Sequence, residues 1–109
     1  MQSAAVVENR TFHALADPSR RAILESLTRG EAAVKDLTAR FDISQPAVSQ
    51  HLATLKAAGL VNGRREGRLV YYRVEPRGMK PLIDWMAHDR VFWSEHVDRL
   101  ERLLEKMDE

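Results

Sequence analysis

The sequence predicts a mainly α fold with a small β-hairpin (an α+β domain) that ends in a long helix. Three features point there. Apolar residues recur at helical spacing over most of the chain. Strict alternation is confined to one stretch after Leu60. A seven-residue apolar repeat then runs toward the C-terminus.

The chain opens on a frayed stretch at residues 1–5 and a first helix from Val6 to Ala16, with Val7, Phe12 and Leu15 expected in the core. Asp17 can cap the next helix and Pro18 can open it. That helix, Ser19 to Thr28, is expected to bury Ala22, Ile23 and Leu27, and Gly30 closes it. Arg20 and Arg21 could touch phosphate, but a structural or solvated role is favoured for at least one of them.

Residues 34–41 place Val34, Leu37, the Thr38 methyl and Phe41 on one face of a short helix. Asp42-Ile43 links it tightly to the segment Ser44–Leu60. Ser44 suits an N-cap, because its hydroxyl accepts from an orphan backbone N–H. Pro46 sits in the first turn, where a missing N–H costs nothing. Val48, Leu52 and Leu55 form the buried stripe, and Gly59 offers the left-handed stop. The outer face carries Gln45, Ser49, Gln50 and Thr54, which donate and accept without charge. A merely solvated face would carry Lys and Glu. This one suits base edges in a major groove. Two short helices joined in this way, the second polar at its outer N-terminal face, form a helix-turn-helix.

After Leu60, two short strands are expected about a Glu66-Gly67 turn, the second at Arg68–Val74. A hairpin after a helix-turn-helix is the wing of a winged helix. Arg64, Arg65 and Arg68 cluster at its tip, suited to phosphates or the minor groove. From about Gly78, Met79, Met86, Trp93, Leu100 and Met107 recur every seven residues. Ile83, Val97 and Leu104 fill a second row, which Arg90 interrupts. A helix of about 28 residues in this stretch would be roughly 42 Å long at about 1.5 Å per residue. Its own domain is too small to cover that face, so a homodimer is expected through Met79, Ile83, Met86, Trp93, Val97, Leu100 and Leu104. The alternative is a helix folded back on its own domain, broken near His88-Asp89.

Length and composition bound the rest. A chain of 109 residues, 44% hydrophobic and 30% charged, is one globular domain, residues 1–109, with 78–109 as its dimerisation helix. The net charge is only +1, but residues 44–76 hold five basic and two acidic side chains. The positive excess therefore falls where phosphate contact is expected. Cysteine is absent, which removes disulfides and thiolate chemistry. The N-terminus lacks the pattern of a signal peptide, and no apolar run has the length of a membrane span. A cytoplasmic protein is expected.

Three stretches carry a family resemblance: Phe12–Leu24 (FHALADPSRRAIL), Asp42–Val61 (DISQPAVSQHLATLKAAGLV) and Gly63–Val74 (GRREGRLVYYRV). Together they resemble the bacterial ArsR/SmtB-type winged-helix repressors. The resemblance implies a dimer built on the first and last helices. It also implies DNA contacts from Gln45, Ser49 and Gln50, supported by Arg65 and Arg68 of the wing. The family's metal sensors carry Glu-Leu-Cys-Val-Cys-Asp-Leu before the recognition helix. Here the matching residues are Glu31-Ala32-Ala33-Val34-Lys35-Asp36-Leu37, without a thiolate for arsenite, cadmium or lead. A second family site uses Asp and His from paired C-terminal helices. Asp84, His88, Asp89, Glu95 and His96 are ligand-capable, but their spacing departs from that pattern.

The functional expectation is a sequence-specific repressor on double-stranded DNA at an inverted repeat, without metal or cofactor. The alternatives are a metal- or ligand-responsive repressor of the same kind and a winged helix used only for protein interaction. Enzymatic function is not expected, because no nucleophile–base constellation and no phosphate-binding glycine loop is present.

Overall fold

The computed structural model describes residues 7–88 and 90–108. The elements run α1 (Asn9–Leu15), α2 (Pro18–Leu27), β1 (Ala32–Ala33), α3 (Val34–Phe41), α4 (Gln45–Ala57), β2 (Val61–Glu66), β3 (Leu69–Val74), α5 (Pro76–His88) and α6 (Arg90–Met107). The strands form an antiparallel sheet in the order β1-β3-β2.

The core lies between α2, α3, α4 and the root of the sheet. Ile23, Leu37, Val48, Leu52, Leu55 and Leu60 are fully buried there. Each such side chain stabilises the fold by about 1.5–3 kcal/mol. The expected stripe of α4 is therefore the centre of the core. In α2, Ile23 and Leu27 are buried as expected, Leu24 joins them, and Ala22 is only half-buried. The Asp17 carboxylate caps α2 by accepting from the N–H groups of Ser19 (2.7 Å) and Arg20 (3.2 Å). The Arg20 amide bond is the main reason its pKa lies below the ordinary value.

Several expectations need correction. α1 begins at Asn9 and turns Thr11 and Ala14 inward, leaving Phe12 44% exposed. The Phe12 ring meets Trp85 of α5 edge-on at 5.8 Å instead of entering the core. The sheet has a third strand, because Ala32 and Ala33 pair with Tyr72 and Tyr71. Two residues are too few to show alternation. The hairpin turn is Gly67-Arg68, one residue later than expected, since Glu66 pairs with Leu69. Gly67 takes φ +62° at the first central position, which the primed hairpin turns require.

The single helix expected over 78–109 is two helices. Helix α5 starts earlier, at Pro76, which tolerates the first turn of a helix. Trp85 and Trp93 meet edge-to-face at 5.5 Å. Eight residues of straight helix would separate them by roughly 12 Å along the axis. The two rings are therefore closer than one straight helix would bring them, and an edge-to-face pair of this kind is favourable. The expected fraying at residues 1–5, the role of Val6 and the ligand capacity of Asp89 lie outside the described residues. So do the side chains of His88 and Arg90.

One backbone contact joins the two halves. α4 ends on Gly59 at φ +79°, with the Leu60 N–H bonded to Leu55 C=O (3.0 Å) and the Gly59 N–H to Lys56 C=O (2.9 Å). This is a Schellman motif, closed by the buried pair Leu55 and Leu60. A Cβ at Gly78 would lie 1.6 Å from the Gly59 carbonyl oxygen. Helix α5 thus rests directly on the end of α4. Gly78→Ala is expected to force the two apart at a cost of about 1–3 kcal/mol or more. Each kcal/mol lowers the melting midpoint of a domain this size by about 4–8 °C. An unchanged midpoint would show that this contact is not made in solution.

Candidate nucleic-acid interface

The link between α3 and α4 is set by two residues. Asp42 takes the left-handed conformation (φ 51°, ψ 42°), which Asp tolerates better than a branched residue. Ser44 then caps α4, its Oγ accepting from the Ala47 N–H at 3.2 Å. With Val48, Leu52 and Leu55 inward, Gln45, Pro46, Ser49 and Gln50 are left exposed. Thr54 is half-buried and its hydroxyl donates to the Gln50 carbonyl at 3.2 Å. That hydroxyl is engaged within its own helix.

The wing stands beside this face. A groove of about 240 Å³ is lined by Gln45 and Ser49 of α4, Val34 and Lys35 of α3, and Arg68, Leu69, Val70 and Tyr72 of the hairpin. One concavity therefore joins the uncharged polar face to two cations. Lys35 was missed as a candidate. Its signal was available, since it is a lysine beside the recognition helix where the family's sensors place a ligand.

The three wing arginines separate into two kinds. The side chains of Arg65 and Arg68 are exposed and make no hydrogen bond or ion pair among the described residues. Arg64 is engaged on three sides. Its Nε and Nη2 donate to the Glu31 carboxylate at 2.9 and 2.8 Å, its Nη1 donates to Glu66, and its guanidinium lies 4.9 Å over the Tyr71 ring. The bond to Glu31, then that to Glu66, pushes the guanidinium pKa further up, and Arg64 in turn holds the Glu31 carboxyl below its ordinary range.

Arg20 and Arg21 are structural. Arg20 donates to the Ala14 carbonyl at 2.7 Å and the His13 carbonyl at 3.2 Å, and Arg21 to the Leu15 carbonyl at 2.7 Å. They satisfy the carbonyls that the end of α1 leaves open.

A second exposed face, on α5 and α6, is apolar. Ile83, Met86, Trp93, Val97, Leu100 and Leu104 are each 40–60% exposed. Phe12 and Leu103, not foreseen there, join them. Met79 does not belong to this set, because it packs against the domain's own core. Of the ligand-capable side chains, Asp84 is held by Lys80 at 2.9 Å.

A helix-turn-helix, a hairpin wing and free cations flanking an uncharged outer helix face define a winged-helix DNA-binding protein. Residues 17–63 match the family described as bacterial regulatory protein, arsR family. The chain is 37% identical over 80 residues to the transcriptional repressor SdpR of Bacillus subtilis, covering 73% of this chain and 89% of that protein. It belongs to the arsR family of transcriptional regulators. A crystal structure described as a possible transcriptional regulator for arsenical resistance superposes with a TM-score of 0.70 at 41% identity, over 88% of this chain and 96% of the other. The solution structure of a homodimeric winged helix-turn-helix DNA-binding domain from Mycobacterium bovis, described as a possible ArsR-family regulator, gives 0.63 at 34% identity, over 83% and 81%. Among the described residues, no helix is long and apolar enough to cross a membrane.

Proposed function

We propose that the chain acts in the cytoplasm as a homodimeric repressor that reads an inverted-repeat operator, without catalytic activity. The observation that carries this reading is the groove shared by Gln45 and Ser49 of α4 with Arg68 of the wing, with Gln50 and Arg65 exposed beside them in the chain. The amides and hydroxyl read base edges, and the arginines hold the backbone or the flanking minor groove. Residues 1–109 act as one winged-helix unit. The exposed face of α5 and α6 is covered by a second copy, as an apolar surface of this extent requires a partner. The homodimer of the M. bovis relative supports that arrangement. With no cysteine in the chain, and with Ala33 and Lys35 at the sensor positions, a thiolate-based metal response is not part of the proposal.

Selection of bound duplexes from a random pool, with EDTA and with added zinc, tests the reading. Recovery of no preferred sequence would refute it. A second test separates holding from reading. Arg65→Ala and Arg68→Ala should weaken cognate and random DNA alike. Each should flatten the slope of log K against log salt by about one unit per lost phosphate contact. A variant with the wild-type slope takes that arginine off the phosphate.

A further inference from the structure

Three arginines within five positions look alike in the sequence, but only two of them are available to DNA. We infer that Arg64 is a positioning residue, and that the Glu31–Arg64 ion pair holds the wing at the angle from which Arg65 and Arg68 reach DNA. This rests on the DNA-binding reading and extends it to a residue pair outside the contact surface.

The geometry carries the inference. Glu31 and Arg64 are 33 residues apart in the chain, and their contact is bidentate. Glu31 directly precedes β1, and Arg64 lies on β2, at the other edge of the sheet. The side chain spans the central strand by stacking on Tyr71, its own register partner. The tie therefore links the two edges across β3. Among the described residues, the hairpin has no pairing with β1 beyond Arg64 and Tyr71. Without the tie its outer end would rest mainly on a two-stranded ladder, which is marginal in water. The planar fork of arginine suits this double contact, and an ammonium does not reproduce it. Held in this way, Arg64 has its donors directed at carboxylates, while Arg65 and Arg68 keep theirs free.

The sign of one substitution separates this from a charge effect. Glu31→Gln removes a negative charge near the DNA surface. Simple electrostatics, or a phosphate-seeking Arg64 released from its partner, predicts tighter binding. A lost tether predicts weaker binding. The full chain would be titrated against a labelled duplex selected from the random pool, as wild type, Glu31→Gln and Arg64→Lys. Both variants should lose about two- to fivefold in affinity per subunit, the range of an exposed ion pair. Arg64→Lys keeps its charge, so a phosphate contact would survive it. In an Arg65→Ala/Arg68→Ala background, Glu31→Gln should have no further effect, because the tether acts only through those two residues. Either variant binding as tightly as wild type, or more tightly, overturns the inference. Should wild type bind no DNA at all, the DNA reading fails by itself. Hydrogen exchange of the Arg64, Glu66 and Tyr71 amides, which lie in the hydrogen-bonded pairs of the β2–β3 ladder, then decides the tether. Faster exchange in folded Glu31→Gln supports it, and equal rates overturn it.

Discussion

Leu100→Glu combined with Leu104→Glu is expected to give a folded monomer that has lost at least about a hundredfold in operator affinity. Both side chains are more than half exposed (57% and 60%), so neither contributes to the core of its own domain. Secondary structure and the melting of the α2–α4 core should persist. In the proposed dimer the same positions are buried against a second copy. Four uncompensated carboxylates there carry a desolvation penalty that the apolar contacts cannot offset. The DNA consequence follows from linkage. Two joined half-site readers gain about 10²–10⁴ in avidity over one, and the monomer loses that factor. Sedimentation at micromolar concentration and titration of the operator measure the two effects. A variant that still sediments as a dimer would move the interface elsewhere. A monomer with wild-type affinity would show that one wing and one helix suffice.

The recognition segment was legible because its signals are local. Ser44, Pro46, the stripe Val48-Leu52-Leu55 and Gly59 lie within one helix, and each takes the position expected of it. The hairpin was legible for the same reason, to within one residue of its turn. What the sequence concealed depends on contacts between distant residues. Phe12 carries a core-type side chain but meets Trp85, which lies 73 positions further along. Arg64 cannot be told from Arg65 until Glu31 is brought beside it. Met79 shares the heptad phase of Met86, but it lies on the turn of α5 nearest the core. The approach of Trp85 to Trp93 is hidden because the seven-residue repeat continues from α5 into α6. Periodicity reports which face is apolar, and it is silent on whether the axis stays straight.

Gln45→Ala and Gln50→Ala are expected to lower cognate affinity by about five- to a hundredfold each while leaving random DNA nearly unaffected. Gln45 opens α4 immediately after the Ser44 cap, in the turn that enters a groove deepest. Its amide can pair bidentately with adenine. Ser49 follows one turn later on the same side, and both line the groove that Arg68 completes. Gln50 flanks them, exposed, with no side-chain partner among the described residues. Alanine favours the helix, so neither change should unfold α4. Val48 and Leu52 are unsuitable for this test, because both are fully buried and their loss would report only on stability. Each base pairing is worth roughly 1–3 kcal/mol, and a dimer loses it twice, which places the measured fall toward the upper end of the range. Neither side chain is charged, so the salt slope should stay at the wild-type value, in contrast to the wing arginines. Half-site centres should lie about 34–36 Å apart, one helical turn, or at a multiple of it. Folded variants that both keep the full preference for the selected operator would show that α4 does not read sequence. Discrimination would then have to come from the wing or from the shape of the duplex.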